Sequence, residues 1–102
     1  MATVLTTDLA FDQIMVKHPQ RGELILVNED GEVHAYRNSC PHVGVGLDWG
    51  DGRCLVAPGE LLCAMHGALF TAATGLCVAG PCAGKSLTRV PVRIDEGRVV
   101  CD

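Results

Sequence analysis

Aromatic side chains are scarce in this chain: Phe11, Tyr36, Trp49 and Phe70 are the only four among 102 residues. A core must therefore be assembled from small and aliphatic groups, without the large buried areas that aromatic rings contribute. Basic runs are also missing. Eight Lys and Arg stand singly against twelve Asp and Glu, for a net charge of -4, whereas a nucleic-acid surface concentrates cations to displace counterions. Nucleic acid is excluded as the expected partner. Apolar runs such as Leu24–Val27 fall far short of the roughly 20 residues a membrane-spanning helix needs, so no membrane association is expected. Met1–Ala10 has no cationic leader segment, and the expected location is the cytoplasm. No stretch sustains a 3.6-residue period long enough for a helix, apart from a short helical turn expected within Thr7–Gln13.

Short strands are well signalled. Gln13–Lys17, Glu23–Asn28 and Glu32–Arg37 are separated by His18-Pro19-Gln20-Arg21-Gly22 and by Asn28-Glu29-Asp30-Gly31, whose glycine can take the positive φ that closes a hairpin. The pattern returns at Leu87–Ile94, Asp95-Glu96-Gly97 and Arg98–Cys101. Val90, Val92 and Ile94 alternate with Pro91, Arg93 and Asp95, which predicts one buried face. Pro91 places that strand at a sheet edge or beside a bulge. The length allows one domain, residues 1–102. Within it, residues 38–85 carry most of the glycines and five of the six cysteines, and read as a loop-built insertion between two β segments. In a reducing compartment the cysteines are not a disulfide framework.

Two tight pairs stand out in the insertion: Cys40-Pro41-His42 and Cys63-Ala64-Met65-His66, twenty residues apart. Thiolate and imidazole both suit iron and zinc. Two loops each presenting one of each can close on a metal centre from opposite sides. The order Cys, His, Cys, His differs from a zinc finger, which groups like with like.

With Gly67, Phe70, Gly75 and Gly80-Pro81 downstream, this arrangement resembles the Rieske [2Fe-2S] family, covering residues 38–81 by motif. The interval between the pairs is longer than usual in that family, and Trp49-Gly50-Asp51-Gly52-Arg53 reads as the extra loop. The resemblance implies an all-β fold, an antiparallel β-sandwich with a loop-built cluster-binding subdomain. It implies one [2Fe-2S] cluster per chain, with Cys40 and Cys63 on one iron and His42 and His66 on the other. Val45 and Met65 stand where respiratory members carry a further cysteine pair. Ala68 and Phe70 stand where those members place Ser and Tyr hydroxyls. Without these donors the reduced cluster is less stabilised, which puts the expected potential near the low end of the Rieske range, roughly -150 mV.

Within these 102 residues the mononuclear-iron domain of a Rieske oxygenase is not expected. His18 and His34 are read instead as a solvated turn residue and a strand-face residue. The implied role is non-enzymatic: a ferredoxin passing electrons from a flavin-dependent reductase to a terminal oxygenase such as an aromatic-ring-hydroxylating dioxygenase. Docking is expected at the loop tip around His42 and His66, with Val43, Val45, Leu47 and Pro81 as its apolar surface and Asp48 and Asp51 as steering charges. Two alternatives stay open: a redox subunit held in another complex, of the nitrite-reductase type, and a zinc-bound or metal-free interaction module. Cys54, Cys77, Cys82 and Cys101 are read as small buried hydrophobes. Trp49 is read as packing that anchors the longer loop.

Overall fold

The run Leu24-Ile25-Leu26-Val27 is buried throughout, with no residue more than 2% exposed. In a strand, successive side chains point to opposite faces, so such a run belongs to a strand covered on both sides. The computed structural model describes residues 3–29, 31–39, 46–48, 53–57, 59–63, 67–80 and 83–101. Its strands are β1 (Thr3–Thr6), β2 (Gln13–His18), β3 (Gly22–Glu29), β4 (Glu32–Arg37), β5 (Leu55–Ala57), β6 (Glu60–Leu62), β7 (Leu69–Thr71), β8 (Cys77–Ala79), β9 (Arg89–Val90), β10 (Val92–Asp95) and β11 (Arg98–Cys101). All pairings among them are antiparallel.

They form three sheets, ordered β1-β11-β10, β2-β3-β4-β9 and β5-β6-β7-β8. The β3 sheet is central. Its Leu24, Leu26, Ala35 and Val90 meet Val99 and Cys101 of the first sheet in one core. Its Ile25, Val27 and Tyr36 meet Leu61, Phe70 and Cys77 of the third sheet in the other. The fold is the expected all-β, antiparallel architecture, and residues 55–79 contribute a sheet of their own to it.

Three local expectations are corrected. Thr7–Gln13 forms no helical turn: the segment is irregular up to β2, held by Asp8 Oδ1 accepting from the Ala10 amide at 2.8 Å and by the Asn28 amide donating to the Asp12 carbonyl at 2.9 Å. Leu87–Ile94 is not one strand. Proline has no amide hydrogen to continue a ladder, and at Pro91 the chain leaves the central sheet, where β9 pairs with β4, and enters the outer sheet, where β10 pairs with β11. Both segments are edge strands, as a proline requires. The alternating face is consequently buried only at Val90, while Ile94, beside the closing turn, is 47% exposed.

His18 is the third correction. It is not a solvated turn residue but the last residue of β2, 6% exposed. The period of two puts it on the same face as Ile14 and Val16, which pack on the second core. Its Nδ1 accepts from the amides of Gln20 and Arg21 at 3.0 and 3.1 Å, which closes the turn into β3. Accepting at Nδ1 assigns the ring proton to Nε2. His34 does lie on a strand, β4, with Nδ1 3.1 Å from Arg89 Nη2.

Candidate metal centre

Of the four candidate ligands, Cys63 is among the described residues; Cys40, His42 and His66 lie outside them. Cys63 follows β6 directly and is fully buried. The β6–β7 hairpin pairs Leu62 with Leu69, so residues 63–68 are its connecting loop, which contains both Cys63 and His66. Two hydrogen bonds close the loop at its base. The Cys63 amide donates to the Ala68 carbonyl at 2.8 Å, and the Gly67 amide donates to the Cys63 carbonyl at 2.8 Å. Both peptide groups next to the thiol are thus occupied by the loop's own frame.

A second loop leans on this one. Gly80 follows β8 at φ 98°, and a Cβ there would lie 2.7 Å from the Ala68 Cα. No side chain fits at that distance, so the two loops touch backbone to backbone. Behind them, the Tyr36 hydroxyl donates to the Ala72 carbonyl at 2.7 Å, tying the central sheet to the hairpin. Burial raises the Tyr36 pKa above its ordinary value. Gly75 lets that ring approach, since a Cβ at position 75 would stand 2.7 Å from Tyr36 Cε1.

The first candidate pair follows β4 in sequence. Asn38 precedes it and Leu47 follows it, and both are described. Leu47 is fully buried in the same core as Cys63, Ala68 and Phe70. It is therefore not on an apolar tip, and this part of the expected docking surface is corrected: its side chain anchors the loop instead of presenting it. Asp48 is likewise engaged locally, its Oδ1 accepting from Asn38 Nδ2 at 3.0 Å. Val43, Val45, Trp49, Asp51, Met65, Pro81 and Cys82 lie outside the described residues.

Arg53 is the last residue of the stretch Trp49–Arg53 in sequence. Its Nη1 donates to Asp12 Oδ1 at 2.8 Å and to the Gln13 carbonyl at 3.1 Å. That guanidinium, ahead of the Gln13 amide, holds the exposed Asp12 carboxyl down at about 2. Beside it the Gln13 side chain, 2% exposed, accepts from the Cys54 amide at 2.9 Å and the Leu55 amide at 3.4 Å. Sequence reasoning missed Gln13 and Asn38. Each is a polar residue at a strand end, and nothing in its neighbours marks it as a tether. Cys54 and Cys77 are buried in the core shared with Cys63, and Cys101 in the other.

The donor set fits an iron–sulfur centre: two thiols and two imidazoles, in two loops whose described ends pack into one core. Ala68 and Phe70 are fully buried and bring no hydroxyl to it.

Comparison with known proteins agrees. A family model described as the Rieske [2Fe-2S] domain matches residues 4–100. The ferredoxin component of the alkene monooxygenase system of Xanthobacter autotrophicus is 35% identical over 78 residues, 76% of this chain and 60% of that protein. Apoptosis-inducing factor 3 of Mus musculus is 39% identical over 54 residues, which are 53% of this chain but 8% of that protein's length. Among solved structures, the Sphingomonas yanoikuyae B1 ferredoxin superposes with a TM-score of 0.75 at 28% identity, covering 97% of this chain and 94% of that one.

Proposed function

The chain belongs to the Rieske [2Fe-2S] domain family, and from that premise we propose that it is a one-electron carrier for an oxygenase system. In this reading Cys40 and Cys63 hold one iron of the cluster, and His42 and His66 hold the other. When bound, the cluster supplies reversible uptake of one electron at a potential raised by replacing two thiolates with neutral imidazoles. The protein's own part is to hold the ligands still and to tune their surroundings.

The observation that carries the reading is the frame around Cys63. A fully buried thiol stands at the base of a loop closed by two backbone hydrogen bonds, braced from outside by the Gly80 contact. A ligand held this way changes position little between redox states, which keeps reorganisation small. Ala68 and Phe70 offer no hydroxyl to the cluster sulfurs, which favours a low potential.

The electron donor is a flavin-dependent reductase and the acceptor a terminal oxygenase, each docking transiently at the tip around His42 and His66. Two of the relatives support the role of carrier, one being the ferredoxin component of a monooxygenase system and the other a ferredoxin matched along nearly its whole length. Among the described residues no helix is long and apolar enough to cross a membrane, and the proposed location is the cytoplasm.

The test is the purified protein itself. It should be coloured, with iron and acid-labile sulfide in equal amounts, should lose its visible spectrum on His42→Ala, and should be reduced by a flavoenzyme and reoxidised by an oxygenase. A colourless protein carrying a single zinc ion would refute the proposal.

A further inference from the structure

Asn38 uses every polar atom of its side chain. Its Oδ1 accepts from the Leu47 amide at 2.7 Å, and its Nδ2 donates to Glu23 Oε1 at 2.6 Å and to Asp48 Oδ1 at 3.0 Å. Its own amide donates to the Glu23 carbonyl at 3.0 Å. One end of the segment 39–46 is thereby fixed to β3, and the same side chain grips the other end at residues 47 and 48. Leu47 is also seated in the core. Gly46 leaves room for the amide, since a Cβ there would lie 3.1 Å from Asn38 Nδ2.

The enclosed segment contains Cys40 and His42. From this we infer that Asn38 is a positioning residue for the first ligand pair: a side-chain clasp that closes the loop and limits how far both ligands can move. The inference rests on the cluster reading above. Its physical basis is that closing a loop removes chain entropy before the ligands bind, and that groups outside the ligand set commonly orient the ligands. The two carboxylates matter as acceptors. Their negative charge strengthens the bonds from a neutral amide donor, and would repel any carboxylate put in its place.

Asn38→Asp separates this from a merely structural role. The variant keeps an oxygen for the Leu47 amide but turns the donor toward Glu23 and Asp48 into a third acceptor. The cluster-loaded parent, this variant, and a triple variant adding Glu23→Gln and Asp48→Asn are compared. In the triple variant two new amides donate to the new carboxylate, so the clasp re-forms with its polarity reversed. Measured are the bleaching rate of the visible band under an iron chelator, and the electron paramagnetic resonance line positions of the reduced protein.

Bleaching of Asn38→Asp should be roughly ten- to a hundredfold faster than the parent, the factor expected for losing hydrogen bonds to charged groups. Its resonance lines should shift, and both readouts should return in the triple variant. A single variant that loads no cluster while the triple does is the extreme form of the same result. Parental bleaching rates and line positions in a loaded Asn38→Asp protein would overturn the inference alone, as would a triple variant no better than the single. A parent that binds no [2Fe-2S] cluster would overturn the cluster reading and this inference together.

Discussion

Two glycines that follow β8 provide a controlled test of how the hairpin around Cys63 is braced. Gly80 and Gly84 have nearly the same φ, 98° and 92°, but different surroundings. A Cβ at Gly80 would stand 2.7 Å from the Ala68 Cα, whereas a Cβ at Gly84 would have no neighbour within 4 Å. Alanine at either site carries the strain of an L-residue at positive φ, about 1–2 kcal/mol. Only at Gly80 does it also overlap a backbone carbon. Carbon atoms separate at about 3.5–4.0 Å, so one loop must retreat by close to 1 Å, and overpacking of this kind costs about 1–3 kcal/mol. Gly80→Ala is thus expected to lose about 2–5 kcal/mol in all, and Gly84→Ala the strain alone.

At about 4–8 °C per kcal/mol for a domain of this size, the two variants should differ in Tm by roughly 5–20 °C. The assay is thermal unfolding of both cluster-loaded variants at one scan rate. The visible spectrum serves as a second readout, because the displaced atom belongs to the loop that bears Cys63 and His66. Equal Tm values for the two variants, or a Gly80→Ala protein with parental stability and spectrum, would refute the steric argument.

Other consequences follow from the same contacts. Gln13→Leu removes the acceptor for the buried Cys54 amide while keeping the volume filled; the unsatisfied donor should cost about 1–3 kcal/mol, read as a lower urea midpoint at unchanged slope. Tyr36, whose pKa is raised by burial, makes stability depend on alkaline pH. Its folded pKa lies above the unfolded value, so its contribution is complete below about 10 and falls as pH rises through and beyond that value, first as the unfolded chain ionises. Tyr36→Phe should flatten this alkaline loss in urea titrations between neutral and alkaline pH. A redox titration should give a midpoint near -150 mV. Ala68→Ser, by adding one hydroxyl donor worth about 1 kcal/mol to the reduced state, should raise it by about 40 mV. A clearly positive parental midpoint would contradict the assignment of Ala68 and Phe70.

The central hairpins were legible because two signals coincide there. The β2, β3 and β4 segments carry strong apolar content, and polar turns separate them, so the expected boundaries differ from the observed ones by no more than a residue. The family was legible for a different reason: metal chemistry demands particular side chains at short spacings, and the two candidate pairs point to the family whose model matches residues 4–100. Thr3–Thr6 gave no such sign. It is a strand only because β11, at the far end of the chain, supplies its hydrogen-bond partners. The three-residue strands of the third sheet are too short for any period to show.

What the amino-acid order determined by itself is therefore local: the central hairpins, the family motif, and the sheet-edge position that Pro91 demands. Tertiary structure decided everything that depends on a distant partner. It buried His18 and Leu47, which their neighbours in sequence had placed in a turn and on a tip. It gave Gln13 and Asn38 their tasks, because a side-chain amide becomes a tether only when folding brings it a backbone group from elsewhere. Hydrogen bonds and core packing are pairwise and long-range in sequence, and one strand of letters records only one member of each pair.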